Sequence, residues 1–106
     1  MERVCFVLQV KKDRVEQYKE AHRHVWPEML EALRVTGWHN YSLFLRDDGM
    51  LIGYLETPDF KTALSAMAAL DVNARWQREM RDFFEDPQGR DADRQLTVLE
   101  QVFYLA

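Results

Sequence analysis

Tyr18 and His22 stand four apart in the stretch YKEAHRHVWPEM, a spacing that stacks two side chains on one face of a helix. The same face extends through Val15 in one direction and Val25, Trp26, Met29 and Leu33 in the other, so the polar pair lies on an apolar stripe. An imidazole with its ordinary pKa of about 6.5 exchanges protons at neutral pH, as general acid and base catalysis requires. The other reading of His22 is a core histidine with its two nitrogens satisfied by backbone and by Tyr18. Tyr18 offers either a phenol that holds a substrate hydroxyl or orients the imidazole, or an aromatic packed with its hydroxyl at the helix edge. Trp76, mid-helix on an apolar stripe, is either core packing or a flat platform for the apolar face of a ring substrate. Tyr41 falls on the same strand side as His39, and is a buried aromatic unless it faces the helices, where it would form a hydrogen-bonding wall.

Other chemistries lack their residues. His22 and His24 point about 200° apart around a helix and cannot chelate one ion together, while His39 lies on a strand and the lone Cys5 completes no ligand set. No metal is expected. The four glycines are not grouped into a phosphate-binding loop, and neither Ser42 nor Ser65 has the flanking glycines of a nucleophile elbow.

The elements that must position these residues follow from hydrophobic periodicity. Residues 3–10 alternate as a strand, apolar on both sides. Asp13 with Glu16 resembles a capping box and opens a helix; Pro27 kinks or restarts it, holding Trp26 at a bend before Gly37 ends it. Residues 38–46 and 50–57 form a hairpin whose turn, Asp47-Asp48-Gly49, supplies a positive φ. Pro58 and Asp59 open a helix through Leu70, and a further helical segment from Asp71 carries Val72, Trp76, Met80, Phe83 and Phe84 on one face. An exposed loop over residues 86–94 leads to a long closing strand over residues 95–105.

The resulting order, β-α-β-β-α-β, is that of a ferredoxin-like α+β fold, an antiparallel sheet with helices on one face. Helices cover only one side of such a sheet. The first and last strands are apolar on both sides, which implies a second layer, most economically a homodimer packed sheet on sheet.

The length of 106 residues corresponds to one domain, residues 1–106, and 47% apolar with 30% charged residues is a globular mixture. A formal net charge of −4, with no basic cluster, speaks against nucleic acid as a partner. The apolar runs are strand-length and the start resembles no signal peptide, so a cytoplasmic protein without membrane contact is expected. Cys5 reads as a small buried hydrophobe.

The sequence resembles the L-rhamnose mutarotase family, from VCFVLQV near its start to LEQVFYL at its end. The resemblance is carried by Tyr18 and His22 followed by VWPEM, by HNYSL, and by DVNARW on the later helix. It implies a dimeric α/β barrel of ferredoxin-like protomers that interconverts the α and β anomers of L-rhamnose, a small monosaccharide substrate, without cofactor or metal. His22 would then be the proton-transfer residue, and Tyr18, Tyr41 and Trp76 would line the sugar site. Where the family usually carries a second tryptophan, after Trp76, this chain has Gln77, an amide in place of a stacking surface. Two other classes share the features read so far: a cofactor-free monooxygenase of the same barrel architecture, which needs an apolar pocket for a flat substrate, and a non-catalytic sugar-binding module.

Overall fold

A computed structural model describes residues 1–86, 92 and 96–106 of the chain. Strand β1 (Glu2–Gln9) buries Val4, Phe6 and Leu8 on one face and leaves Cys5, Val7 and Gln9 half-buried on the other. A 3-10 turn at Lys12–Arg14 leads into α1 (Val15–Arg23). The expected capping box does not form, because Asp13 lies inside the 3-10 turn instead of ahead of the helix, where a carboxylate could reach the free N–H groups. Trp26 takes the extended conformation that a following proline favours (φ −57°, ψ 135°). Pro27 then occupies the first turn of α2 (Pro27–Val35), where its missing N–H is not needed. The chain thus breaks between two helices at the position where a kink or restart was expected.

Strands β2 (His39–Leu45) and β3 (Met50–Thr57) form the hairpin. At its turn Gly49 has φ 96°, and a Cβ there would lie 2.1 Å from the Val10 carbonyl oxygen. Glycine is therefore required twice over, by conformation and by space. Helices α3 (Phe60–Ala68) and α4 (Asp71–Met80) follow, the second running on into a 3-10 turn at Arg81–Phe83. The α4 face is inward at Asn73, Trp76 and Met80, with Val72 only partly buried, so its register is rotated slightly from the one read off the apolar residues. Among the described residues no helix is long and apolar enough to cross a membrane.

The sheet order is β2-β3-β1-β4, antiparallel throughout, with β4 at Thr97–Leu99. This is the ferredoxin-like arrangement, its two central strands taken from the two halves of the chain. Within it, Gly53 pairs with Phe6, and a Cβ on Gly53 would come within 2.2 Å of the ring, so the absence of a side chain is what lets Phe6 lie across the sheet floor. The closing strand is much shorter than the expected 95–105: β4 pairs with β1 only across Cys5–Val7, and Val102 and Phe103 beyond it are 86% and 79% exposed. An edge segment extends as a strand only where a neighbour supplies hydrogen-bond partners. Residue 95 and most of the expected 86–94 loop lie outside the described residues. Cys5 is half-buried on the face away from the helices, beside Tyr54 and Leu99, and is not a core residue.

Candidate active site

Between the sheet and the four helices lies a cavity of about 330 Å³, within the size range of small-molecule sites. Tyr18, His22, Tyr41 and Trp76 all line it, although they come from α1, β2 and α4. Much of the remaining wall is apolar, with Phe6 and Leu51 from the sheet and Met29 and Met67 from the helices.

The last turns of α1 hold the first pair. Tyr18 is 5% exposed, and its ring stacks on the imidazole of His22 with centroids 4.2 Å apart and planes 30° apart. His22 Nδ1 lies 3.0 Å from the Tyr18 carbonyl oxygen. A carbonyl can only accept, so Nδ1 carries the hydrogen in this bond and Nε2 is left with the lone pair. Among the described residues Nε2 has no hydrogen-bond partner. The imidazole is therefore satisfied at one nitrogen only, and Tyr18 orients it through ring and backbone, not through the phenol.

Burial lowers the His22 pKa from its ordinary 6.5, with the bond to the Tyr18 carbonyl opposing in part. Burial also pushes the Tyr18 phenol well above its ordinary range, and the nearby Tyr41 phenol adds to the effect; Tyr41 is raised by its own burial. Near neutral pH the site thus holds a neutral imidazole and two phenols that keep their protons and serve as hydrogen-bond donors. Trp76 is 8% exposed and meets His22 edge-on at 5.6 Å and Trp26 edge-on at 5.0 Å. It is core packing and cavity wall at once.

Tyr41 reaches the cavity by a route that simple alternation misses. The β2–β3 register runs from His39 opposite Glu56 to Ser42 opposite Tyr54, three steps on β2 against two on β3. Asn40 sits in this bulge with φ 48°, and its Nδ2 donates to Glu56 Oε1 at 2.9 Å. The extra residue reverses the alternation. Tyr41 faces the helices with Leu43, whereas His39 stays with Glu56 on the open face, so the expectation that Tyr41 shares the side of His39 is corrected. The same reversal brings Trp38 to the cavity, 5.1 Å from the Tyr41 ring. A legible hint was Asn40 itself, a residue type that tolerates left-handed backbone. Asn40→Gly should keep the bulge and the wild-type near-ultraviolet circular dichroism. Asn40→Val should cost about 1–3 kcal/mol in denaturant unfolding and alter the Trp38–Tyr41 signal; equal stability of the two variants would show that the left-handed conformation carries no weight.

Sequence reasoning also left Asn73 out of the site. It is 4% exposed, lines the cavity, and accepts a hydrogen bond from Gln77 Nε2 at 3.2 Å. Its signal was of the same kind as that of Tyr18 and His22: a polar residue at helical spacing, three before Trp76, on a buried stripe. His24, by contrast, is exposed beside Glu20, and Arg23 pairs with the same carboxylate. Among the described residues no group of three or more His, Cys, Asp or Glu side chains could hold a metal ion.

A family model described as L-rhamnose mutarotase matches residues 3–105. The chain is 37% identical over 106 residues to the L-rhamnose mutarotase of Bacillus subtilis, covering 99% of each. It is 33% identical to that of Klebsiella pneumoniae, covering 100% of each. The crystal structure of an L-rhamnose mutarotase from Formosa agariphila matches the fold with a TM-score of 0.82 at 25% identity, covering 100% of both chains. A lone-pair imidazole in a sheet-floored cavity, on a chain similar to these proteins end to end, belongs to a member of the L-rhamnose mutarotase family.

Proposed function

We infer that this chain is a single-domain L-rhamnose mutarotase, an isomerase that interconverts the α and β anomers of the pyranose. Family membership supports the reading, and one observation carries the chemistry: His22 is held at Nδ1 by the Tyr18 carbonyl, on the wall of a cavity that also holds two protonated phenols. Asn73 and Gln77 add two more polar side chains to that wall, as a polyhydroxylated ring needs and a flat apolar substrate does not.

Ring opening requires O1 to lose a proton while the ring oxygen gains one and the C1–O5 bond breaks. His22 Nε2 accepts the O1 proton, and the imidazolium so formed supplies the proton at O5, directly or through a water molecule that takes up the imidazolium proton as it gives its own. Tyr18 keeps its proton and steadies the oxygen through its O–H. The aldehyde then turns about C1–C2, the new hydroxyl adds to its other face, and the two protons return. No electron changes hands, and nothing beyond the side chains, water and the sugar enters the balance. Trp76 and Tyr41 hold the ring meanwhile. Saturation-transfer NMR on the anomeric protons of L-rhamnose tests the reading: added protein should accelerate exchange, and unchanged exchange would overturn it.

Because burial lowers the His22 pKa, the neutral base persists below pH 6.5, and the acid limb of kcat/KM should fall below that value. The same shift has a stability consequence. Above the unfolded value of 6.5 both states bind no proton here; as pH falls toward the depressed folded value only the unfolded chain takes one up, so stability is lost on acidification. A pH–rate profile with its acid limb above 6.5 would contradict the burial of the base.

The chain also acts as a homodimer in the cytoplasm under this reading. The sheet face away from the helices carries Ile52, Tyr54 and Phe44, and the exposed Val102, Phe103 and Leu105 extend from its β4 edge. An apolar sheet face of this kind calls for a covering layer, and a second copy supplies it symmetrically. Sedimentation equilibrium should return twice the 12.7 kDa chain mass; a concentration-independent monomer would refute the dimer.

A further inference from the structure

Residues 38 and 41 of a regular strand fall on opposite faces, yet Trp38 and Tyr41 both line the cavity, with ring centroids 5.1 Å apart. The bulge at Asn40 is what brings them together, and Tyr41 is the next residue along, so the backbone of Asn40 also sets where the phenol is aimed. A non-glycine residue at φ 48° persists only where its surroundings over-determine it. Here they converge on one carboxylate, on the sheet face away from the cavity. Glu56 Oε1 accepts from Asn40 Nδ2 at 2.9 Å, and Glu56 Oε2 accepts from the Tyr54 hydroxyl at 2.8 Å. Arg3 stands directly across from Glu56 on β1, its guanidinium 3.7 Å from the centroid of the Tyr104 ring. The bonds from Asn40 and then Tyr54, with the Arg3 charge, hold the Glu56 carboxyl below its ordinary range, so it is ionised and acceptor-only at neutral pH. That fixes the sense of the Asn40 amide, since only its nitrogen can donate.

We propose that Glu56 is a positioning residue for the sugar site: from the open face of the sheet its carboxylate holds Asn40 in the bulge, and the bulge keeps Trp38 beside Tyr41 with the Tyr41 phenol aimed at a hydroxyl of the sugar. The assignment rests on the mutarotase reading and deepens it. Glu56 does not line the cavity and acts through the backbone of β2 alone. The Tyr54 hydroxyl and Arg3 keep its carboxylate in one orientation, which lowers the ordering cost of the bond to Asn40 on a partly exposed face. A phenol displaced by a fraction of an ångström loses most of its hydrogen bond to a bound ring, so a brace this far from the sugar is felt in binding.

The test measures anomer exchange of L-rhamnose over a range of sugar concentrations for wild type, Glu56→Ala, Glu56→Gln, Tyr41→Phe and the double variant Tyr41→Phe with Glu56→Ala, beside near-ultraviolet circular dichroism. Glutamine keeps an oxygen that accepts from Asn40 and an N–H that can turn to the Tyr54 oxygen; alanine keeps neither. Glu56→Ala should raise KM roughly 3- to 10-fold and leave kcat nearly unchanged, because a phenol that holds the ring binds ground and transition states alike. It should also weaken the Trp38–Tyr41 dichroism, and Glu56→Gln should restore both. In the Tyr41→Phe background Glu56→Ala should add no further rise in KM, since the hydroxyl through which it acts is gone. An equal rise in both backgrounds, or wild-type KM in Glu56→Ala, would overturn the assignment while leaving the mutarotase standing. A wild type that accelerates no exchange would overturn both. If Glu56→Ala does not fold, Glu56→Thr, a residue suited to a strand and too short to reach Asn40, takes its place with the same expectations.

Discussion

Replacing His22 with Ala should slow L-rhamnose anomer exchange by roughly 10²- to 10⁴-fold while leaving the chain folded. The expected loss is the contribution of a positioned base, since mutarotation proceeds in water without any enzyme and, in the proposed mechanism, the imidazole adds proton transfer at a fixed place. The site gives three reasons for a large effect. The Tyr18 carbonyl fixes the tautomer, the stacked Tyr18 ring fixes the plane, and the edge of Trp76 closes the third side. A freely rotating histidine would have to reach this arrangement at every turnover. The fold should survive because His22 adjoins an existing cavity and is only partly buried, so its truncation enlarges a space that is already there. Saturation-transfer NMR beside a far-ultraviolet melt separates the two outcomes. Exchange near the wild-type rate in a folded His22→Ala variant would remove His22 from the mechanism.

Truncating Trp76 to Ala should instead be felt first as lost stability, about 3–5 kcal/mol in a protein whose total is expected to be about 5–15 kcal/mol. The indole is 8% exposed and wedged between two rings, His22 and Trp26, which belong to α1 and to the break before α2. Removing it withdraws the surface that locks those segments to α4. The Arg75 guanidinium also ties α4 to α2, through Glu28 at 3.0 Å, but an exposed ion pair of this kind offsets little of the loss. Trp76→Phe keeps a ring in the same place; it should remain folded and raise KM for the sugar, since a smaller face remains to pack against the pyranose. Urea unfolding of both variants checks the first statement and exchange kinetics of the second variant checks the other. A Trp76→Ala variant as stable as wild type would mean that the indole is a rim residue whose burial contributes nothing to the core.

Much of the candidate site was readable from spacing. That Tyr18 and His22 share a face is a property of any α-helix, and that Trp26 and Pro27 interrupt it follows from the stereochemistry of proline. Both hold whatever packs outside. The turn at Gly49 was legible for the same reason, its φ being a local demand. Asn73 shows how the same signal can be passed over: an amide on a buried stripe draws less attention than an imidazole, yet the spacing that places it beside Trp76 is as regular.

Other features depended on partners distant in the chain. The failed capping box shows that the pairing of Asp13 and Glu16 does not by itself decide where a helix begins once the segment before it is drawn tight against the 3-10 turn that follows α4, where Lys11 N donates to the Phe83 carbonyl at 2.7 Å. The closing strand has strand-forming residues over most of its length and pairs over only Thr97–Leu99, because hydrogen-bonding neighbours and not propensity set how far an edge strand runs.

The order of the elements, the inward turn of Tyr18 and His22 and the break at Trp26 are written into the residues themselves, since each follows from dihedral preferences and periodicity acting over a few neighbours. Which way Tyr41 and Trp38 face and which nitrogen of His22 keeps its lone pair are settled only in the folded chain. Those outcomes depend on a register slip between two strands and on a carbonyl beside a ring, and each is a matter of where one group's hydrogen bond goes once the chain has closed around a cavity.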